Sequence, residues 1–320
     1  MEKLKDSKNH LAELYGLEKI TAENLEINIG KKGSVVYKIK NKDGDWKEYR
    51  DPDTESKTLY EDWKEYLKKK LPEGTFVSRK NNGSFEIVAE INNKKFVLSS
   101  DYIGPSKKWA AKALRANDKN MCEEMAKILN VCRRFGGHMI WPKNQYITIP
   151  DRDDPKKRNS INITYGGYGR NSINMSRGGS AGVYDRFDVT LYSLKKYFDL
   201  FIKKGKKECL DKGLYDKATA FIVSCKDKID IEKNGFRLLN LFLSFELTSE
   251  WFEVFADFNK FIQVFELQDF IENGEPVVWG SKDKITELCD SDNNYENYTE
   301  YIDGCTNAIK NRANCVKRYI

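Results

Sequence analysis

The spacing of apolar residues divides the chain into an early part that alternates in twos and a later part that repeats in threes and fours. Residues 3–15 read as a short amphipathic helix with Leu4, Leu11 and Leu14 on one side. Val35 to Lys40 reads as a strand, Asn41-Lys42-Asp43-Gly44 as a turn, and Trp46 to Tyr49 as the returning strand. Leu59, Trp63, Tyr66 and Leu67 fall at i, i+4, i+7 and i+8, which predicts a helix that Pro72-Glu73-Gly74 ends. From Ser84 to Ile91, Phe85, Ile87 and Ala89 share one face and Glu86 and Glu90 the other. Asn92-Asn93 then makes a two-residue turn and Phe96-Val97-Leu98 returns as a hairpin strand.

Helical spacing takes over at about residue 109. Trp109 to Ala116 begins one helix, and Met121 to Arg134 forms a second with Met125, Ile128, Leu129 and Cys132 as its apolar stripe. Gly136-Gly137 is expected to end it as a C-cap. His138 to Trp141 and Tyr146 to Ile149 read as short strands, and Asp151 to Ser160 as a charged loop. Ile161 to Thr164 is a strand or the start of an insertion rich in Gly, Ser, Asn and Arg that runs to Gly182. Val183 to Ile202, Leu238 to Phe245, Trp251 to Ile271 and Asn293 to Ile320 all carry helical periodicity, the last with an exposed polar face. Strands early, helices late and no regular βαβ alternation predict an α+β fold: antiparallel strands and hairpins packed with a mainly helical C-terminal half. The expected organisation is an N-terminal α+β region over 1–94, a core domain over 95–275 and a polar helical extension over 276–320.

Composition narrows the class. Hydrophobic residues make up 40% of the 320 and aromatic residues 12%, which is ample core material and too apolar for a disordered chain. No run approaches the ~20 apolar residues of a membrane helix, and the first residues lead into no apolar segment. The expected address is therefore the cytoplasm. The seven cysteines are widely spaced without a Cys-x-x-Cys pair, and only His10 and His138 accompany them. That spacing favours reduced core cysteines over a zinc site.

Charge is unevenly distributed. Residues 1–100 carry 20 basic and 18 acidic side chains, residues 101–220 carry 24 and 13, and residues 221–320 carry 11 and 18. The net charges are thus +2, +11 and −7, within an overall +6. A basic middle has two readings: it meets an anionic partner, or it is neutralised by the acidic end across an internal interface.

Candidate chemistry concentrates between Arg133 and Asp188. The pieces are Arg133-Arg134-Phe135-Gly136-Gly137-His138, Tyr165 to Asn171, Asn174-Met175-Ser176-Arg177-Gly178-Gly179 and Tyr184-Asp185-Arg186-Phe187-Asp188. Glycine lets a backbone approach a ligand closely, and arginine beside exposed N–H groups suits phosphate. Neither a P-loop nor a Rossmann fingerprint is present. Arg133, Arg134, Arg177, Arg186 and Asn174 are the candidate phosphate ligands. His138 is the candidate general base, because it titrates near neutrality. The Arg-x4-His spacing of Arg133 and His138 is loosely that of certain helical ribonucleases, but the two glycines interrupt the helix such a motif needs. Asp185, paired with Asp188, serves either as an acid, base or metal ligand, or as an N-cap with its N3 partner. Ser106, beyond the Gly104-Pro105 turn, fits an N-cap better than a pocket.

Several phrases in fixed order, Phe96 to Ser106, Gly136 to Pro142, Ser172-Ile173-Asn174, Arg177-Gly178, Tyr184 to Leu191 and Phe265 to Phe270, resemble an uncharacterised bacterial family across about residues 95–275. The resemblance implies one conserved domain and no particular activity. Where that family's pattern has Gln-Ala before Arg-Gly, Met175-Ser176 stand here, and residues 151–170 look inserted.

The expected function is an intracellular effector or toxin-like enzyme acting on RNA or a nucleotide, of a kind suited to phage defence. In it arginines hold phosphate, His138 moves a proton and Asp185 orients an arginine or binds a metal. The alternative is a non-catalytic module that binds nucleic acid or a protein partner, as inhibitor or sensor. Neither reading specifies a cofactor.

Overall fold

A computed structural model describes residues 14–29, 35–49, 56–79, 85–103, 119–132, 134–142, 145–150, 158–165, 171–175, 179–180, 187–202, 213–280, 284–285 and 295–320. The first sheet is an antiparallel meander of β1 (Leu25–Ile29), β2 (Val35–Lys40) and β3 (Trp46–Glu48). Leu25, Ile27, Tyr37 and Ile39 form its buried face, as strand alternation requires. Helix α1 (Lys57–Lys70) follows, its first turn capped by the Ser56 side chain accepting from Leu59 N. Leu59, Trp63, Tyr66 and Leu67 are all buried, so the spacing read from the sequence marks the inward stripe.

The second sheet is four-stranded, in the order β4 (Phe76–Arg79), β5 (Ile87–Ile91), β6 (Lys94–Tyr102) and β7 (His138–Pro142). Asn92 and Asn93 both take positive φ, 52° and 62°, the backbone that a two-residue hairpin turn demands. Between β6 and β7 the chain makes α2 (Lys119–Cys132), with Met125, Ile128, Leu129 and Cys132 buried. The expected glycine C-cap is not what ends α2. The helix stops at Cys132, and Phe135-Gly136-Gly137 form a 3-10 turn leading into β7.

What these glycines supply is space. A Cβ on Gly136 would sit 2.5 Å from Ala313 Cα, and one on Gly137 would sit 2.3 Å from Val131 O. The turn is thus pressed against two backbones at once.

A third, four-stranded sheet contains β8 (Gln145–Pro150), β9 (Arg158–Tyr165), β10 (Asn171–Met175) and β11 (Gly179–Ser180). Ser172-Ile173-Asn174 pair with Thr164-Ile163-Asn162, so part of the glycine-rich stretch is strand rather than loop. Its polar composition hid this, because cross-strand pairing and not apolar alternation makes these residues extended.

The rest is mainly helical: α3 (Phe187–Tyr197) continued by a π turn over Phe198–Ile202, α4 (Leu214–Ser224), α5 (Ile231–Leu247), α6 (Ser249–Glu253) and α7 (Phe258–Val264). A small ribbon of β12 (Ile271–Glu272) and β13 (Glu275–Pro276) precedes the long α8 (Tyr295–Val316). Trp251 to Ile271 is not continuous helix. Ala256 and Glu266 have positive φ, and Asp257 recaps the chain by accepting from Lys260 N. Periodicity survived the breaks because each short helix turns the same aromatic face inward. Trp141, Phe198, Phe252 and Phe261 meet there, with Trp141 centred 5.5 Å from Phe252 and Phe198 5.6 Å from Phe252. This aromatic cluster joins the second sheet to the helices.

Helix α8 is part of that core. Tyr301, Ile302, Cys305, Ile309 and Val316 are buried along one side, while Asp303, Lys310 and Asn314 are exposed on the other. Arg312 lies on the buried side, wholly enclosed. Its Nε donates to Phe265 O at 2.8 Å, and its Nη1 donates to Gly136 O and His138 O, both at 2.6 Å. One guanidinium therefore ties the end of α7, the 3-10 turn and the start of β7 to the C-terminal helix. Among the described residues Cys132, Cys225 and Cys305 are buried core thiols outside any disulfide. Burial pushes the Cys225 thiol up to about 12, which keeps it protonated and unreactive.

Candidate anion-binding groove

The 3-10 turn separates the candidate residues on either side of it. Arg134 is its N-cap and His138 its C-cap, both with extended backbone. Arg134 N donates to Val131 O at 3.1 Å, and Arg134 O accepts from Gly137 N at 2.8 Å, which fixes the residue just beyond the end of α2. Its side chain, half-buried, lines a groove of about 560 Å³ between α2 and α8.

His138 points the other way, into the core, where it is fully buried. Its Nδ1 lies 3.3 Å from Ser100 Oγ, which also accepts from Trp63 Nε1 at 3.0 Å. Tyr60 Oη accepts from Ser100 N at 3.1 Å. This is a buried polar network linking α1, β6 and β7. It satisfies groups that would otherwise be costly to bury. The helical Arg-x4-His arrangement is not formed, since α2 ends before the motif and His138 begins a strand.

Of the remaining candidates, Asn174 and Asp188 lie among the described residues. Asn174 stands in β10, opposite Asn162 and Ser180. Arg133, Arg177, Asp185 and Arg186 lie outside the described residues, as does Ser106. Asp188 is buried in the first turn of α3, and its Oδ2 accepts from Trp279 N at 3.0 Å. It anchors the helix start to the segment after β13. No group of three or more His, Cys, Asp or Glu side chains suited to a metal occurs among the described residues.

The groove itself is lined by cations from all three parts of the chain. Lys19 comes from the N-terminal segment, Arg134 from the basic middle, and Lys310 and Lys317 from the acidic C-terminal third. Among the described residues Glu18 is the one carboxylate in the lining. Val131, Ile309 and Ala313, all buried, make an apolar floor. The wall carrying Glu18 and Lys19 is fastened by Asn130. Its Oδ1 accepts from Ile20 N at 2.6 Å, and its Nδ2 donates to Ile20 O and Ala126 O at 2.6 and 2.8 Å.

Segment charge did not point to Lys310 or Lys317, since they lie in a third with net −7. The available signal was local: Lys310 and Asn314 fall at i and i+4 on one face of α8, and Lys317, at i+7, follows just past its end. Elsewhere, part of the basic middle is neutralised internally. Lys195 pairs with Glu275 at 3.0 Å, and Lys217 with Glu246 at 2.6 Å.

The fold is that of an α+β protein with antiparallel sheets early and helices late, carrying a basic groove beside the seam of α2 and α8. Two segments, residues 38–158 and 240–316, match the model of a family of unknown function, DUF6994, and the chain belongs to that family. The phrases at 96–106, 136–142 and 265–270 lie within the matched segments, and those between 172 and 191 fall between them. No curated protein and no solved structure matches the chain. No helix among the described residues is long and apolar enough to cross a membrane.

Proposed function

We propose that this protein is a non-catalytic module that binds an anionic ligand of the RNA or nucleotide class through the groove between α2 and α8. The observation that carries the reading is the convergence of Lys19, Arg134, Lys310 and Lys317 on one concavity, against one carboxylate, Glu18, among the described lining residues. Concave sites with an apolar floor and a few charged groups are the common form of ligand pockets. Four cations around such a floor favour an anion, and arginine adds forked donors that suit phosphate.

Binding is favoured over catalysis by the position of His138. A general base needs hydrogen-bond reach to its substrate, and this imidazole is enclosed within the core. An RNA-cleaving effector built on His138 would have to open the Ser100–Trp63 network first.

Salt dependence tests the reading. Binding of a labelled oligouridylate or nucleotide should weaken steeply as salt rises, the slope should fall in Lys310→Glu, and the RNA should be recovered intact. Salt-independent binding, or an unchanged slope in Lys310→Glu, would refute it.

A further inference from the structure

The groove is bounded in a way that bears on the size of its ligand. Helices α2 and α8 lie side by side, and their charge changes sign along the seam. The groove end carries Arg134, Lys310 and Lys317. The other end carries Glu123 and Glu124 on α2 and Asp303 on α8, with Lys127 paired to Glu124 and in the field of Asp303 and Glu123. Asp303 precedes Lys310 by two helical turns, a rise of about 10 Å. That is close to the ~8 Å over which physiological salt screens a charge. A polyanion continuing along the seam would therefore leave the cations and meet carboxylates within a nucleotide or two. A compact anion would meet only the basic end.

The lining also has two chemical halves. Val131 and Ala313 expose 7% and 8% of their surface and offer a small apolar patch, with Ile309 packed behind it and the cations around it. Asn130 is not available to read a ligand, because both ends of its amide are engaged by Ile20 and Ala126. A volume near 560 Å³ falls within the ~300–1,000 Å³ typical of small-molecule sites.

From these features we infer that the groove takes a compact phosphorylated ligand of nucleoside-diphosphate size. Its apolar or planar part lies on Val131 and Ala313, and its phosphates lie among Lys19, Arg134 and Lys310. This rests on the anion-binding reading above and narrows it from a nucleic-acid strand to a small molecule.

Calorimetric titration of the full chain with the nucleoside 5′-diphosphates of the four common bases, pyrophosphate and a short single-stranded oligouridylate tests the inference. The expected result is that at least one diphosphate binds about tenfold tighter than pyrophosphate, and no weaker than the oligouridylate. Arg134→Ala and Lys310→Glu should each weaken it about tenfold, the loss expected for one charge-assisted contact. Val131→Ala should narrow the advantage over pyrophosphate. Lys310 is exposed, so its reversal leaves the fold intact, and circular dichroism confirms this for each variant.

Three outcomes overturn the inference in distinguishable ways. An oligouridylate that binds tighter than every diphosphate, and is weakened in both charge variants, defeats the compact ligand and leaves the anion-binding reading standing. Pyrophosphate binding as tightly as all the diphosphates defeats the role of the apolar floor. Absence of binding by any probe, or binding indifferent to Arg134→Ala and Lys310→Glu, defeats both this inference and the reading beneath it.

Discussion

Gly136→Ala asks for space that the contact with α8 does not contain. The new methyl carbon would stand 2.5 Å from Ala313 Cα, 2.6 Å from its Cβ and 2.8 Å from its N. Ordinary contact begins at 3.4 Å, so α8 and the 3-10 turn must separate by about 0.9 Å. The neighbouring Arg312 resists that movement, since its Nη1 holds Gly136 O and His138 O at 2.6 Å. Separation would stretch both bonds to about 3.5 Å, the edge of useful geometry. Overpacking of this kind costs about 1–3 kcal/mol, and two weakened charge-assisted bonds add about 1 kcal/mol. A total of about 3 kcal/mol is expected, read as a lower urea midpoint at unchanged slope. Because Ala313 Cα and N clash as well as its Cβ, Ala313→Gly should recover only part of the loss. A double-mutant cycle should then give a coupling of about 1 kcal/mol. A Gly136→Ala loss below about 0.5 kcal/mol would mean that the turn and helix are not pressed together, and complete recovery in the double variant would mean that the Ala313 methyl alone, and not its backbone, makes the contact.

Other perturbations separate the roles of neighbouring residues. Arg312→Met keeps apolar bulk but leaves three buried carbonyls without their donor, so stability should fall by about 3–5 kcal/mol; a loss under 1 kcal/mol in urea unfolding would contradict the clamp. Asn130→Ala should free the wall that carries Glu18 and Lys19, seen as faster tryptic cleavage after Lys19 and faster amide exchange at Ile20, with the core exchange unchanged. Unaltered cleavage would show that the wall is held by something else.

Glu61 adds a pH test. The hydrogen bond from Lys64, opposed by partial burial and aided by Arg79 at 2.8 Å, lowers its carboxyl below the ordinary 4.5. A depressed folded-state value means stability that is present above about pH 4.5 and lost as pH falls through the folded value. Glu61→Gln should therefore flatten the acid limb of the stability curve, and an unchanged limb would reject that contribution.

Periodicity in the sequence reported the inward faces well. Leu59, Trp63, Tyr66 and Leu67 were legible as one stripe of α1, and Met125, Ile128, Leu129 and Cys132 as one stripe of α2, because burial must repeat with the helix turn. The Asn92-Asn93 turn was legible because few residues other than glycine accept its backbone. The same logic failed where a boundary depended on local capping: Asp257 and Ala256 cut the aromatic segment without disturbing its spacing.

The candidate site was only partly legible. Arg134 was found by its place among arginines and glycines, and the structure puts it in the groove. His138 was chosen for its ordinary titration range, a property of the isolated side chain that says nothing of burial. Lys19, Lys310, Lys317 and Asn130 were missed because their common setting joins positions more than a hundred residues apart.

By itself, then, the sequence determined the class of fold, the strand and helix faces and the absence of short-range ligand motifs, since these follow from nearest neighbours along a chain. Only tertiary packing decided what Gly136, His138 and Arg312 do. It turned a glycine from a helix cap into a contact point, enclosed the imidazole of His138, and buried a cation against three carbonyls. The physical reason is that space, solvent access and electrostatic environment belong to residues brought together by folding, whereas periodicity belongs to the chain.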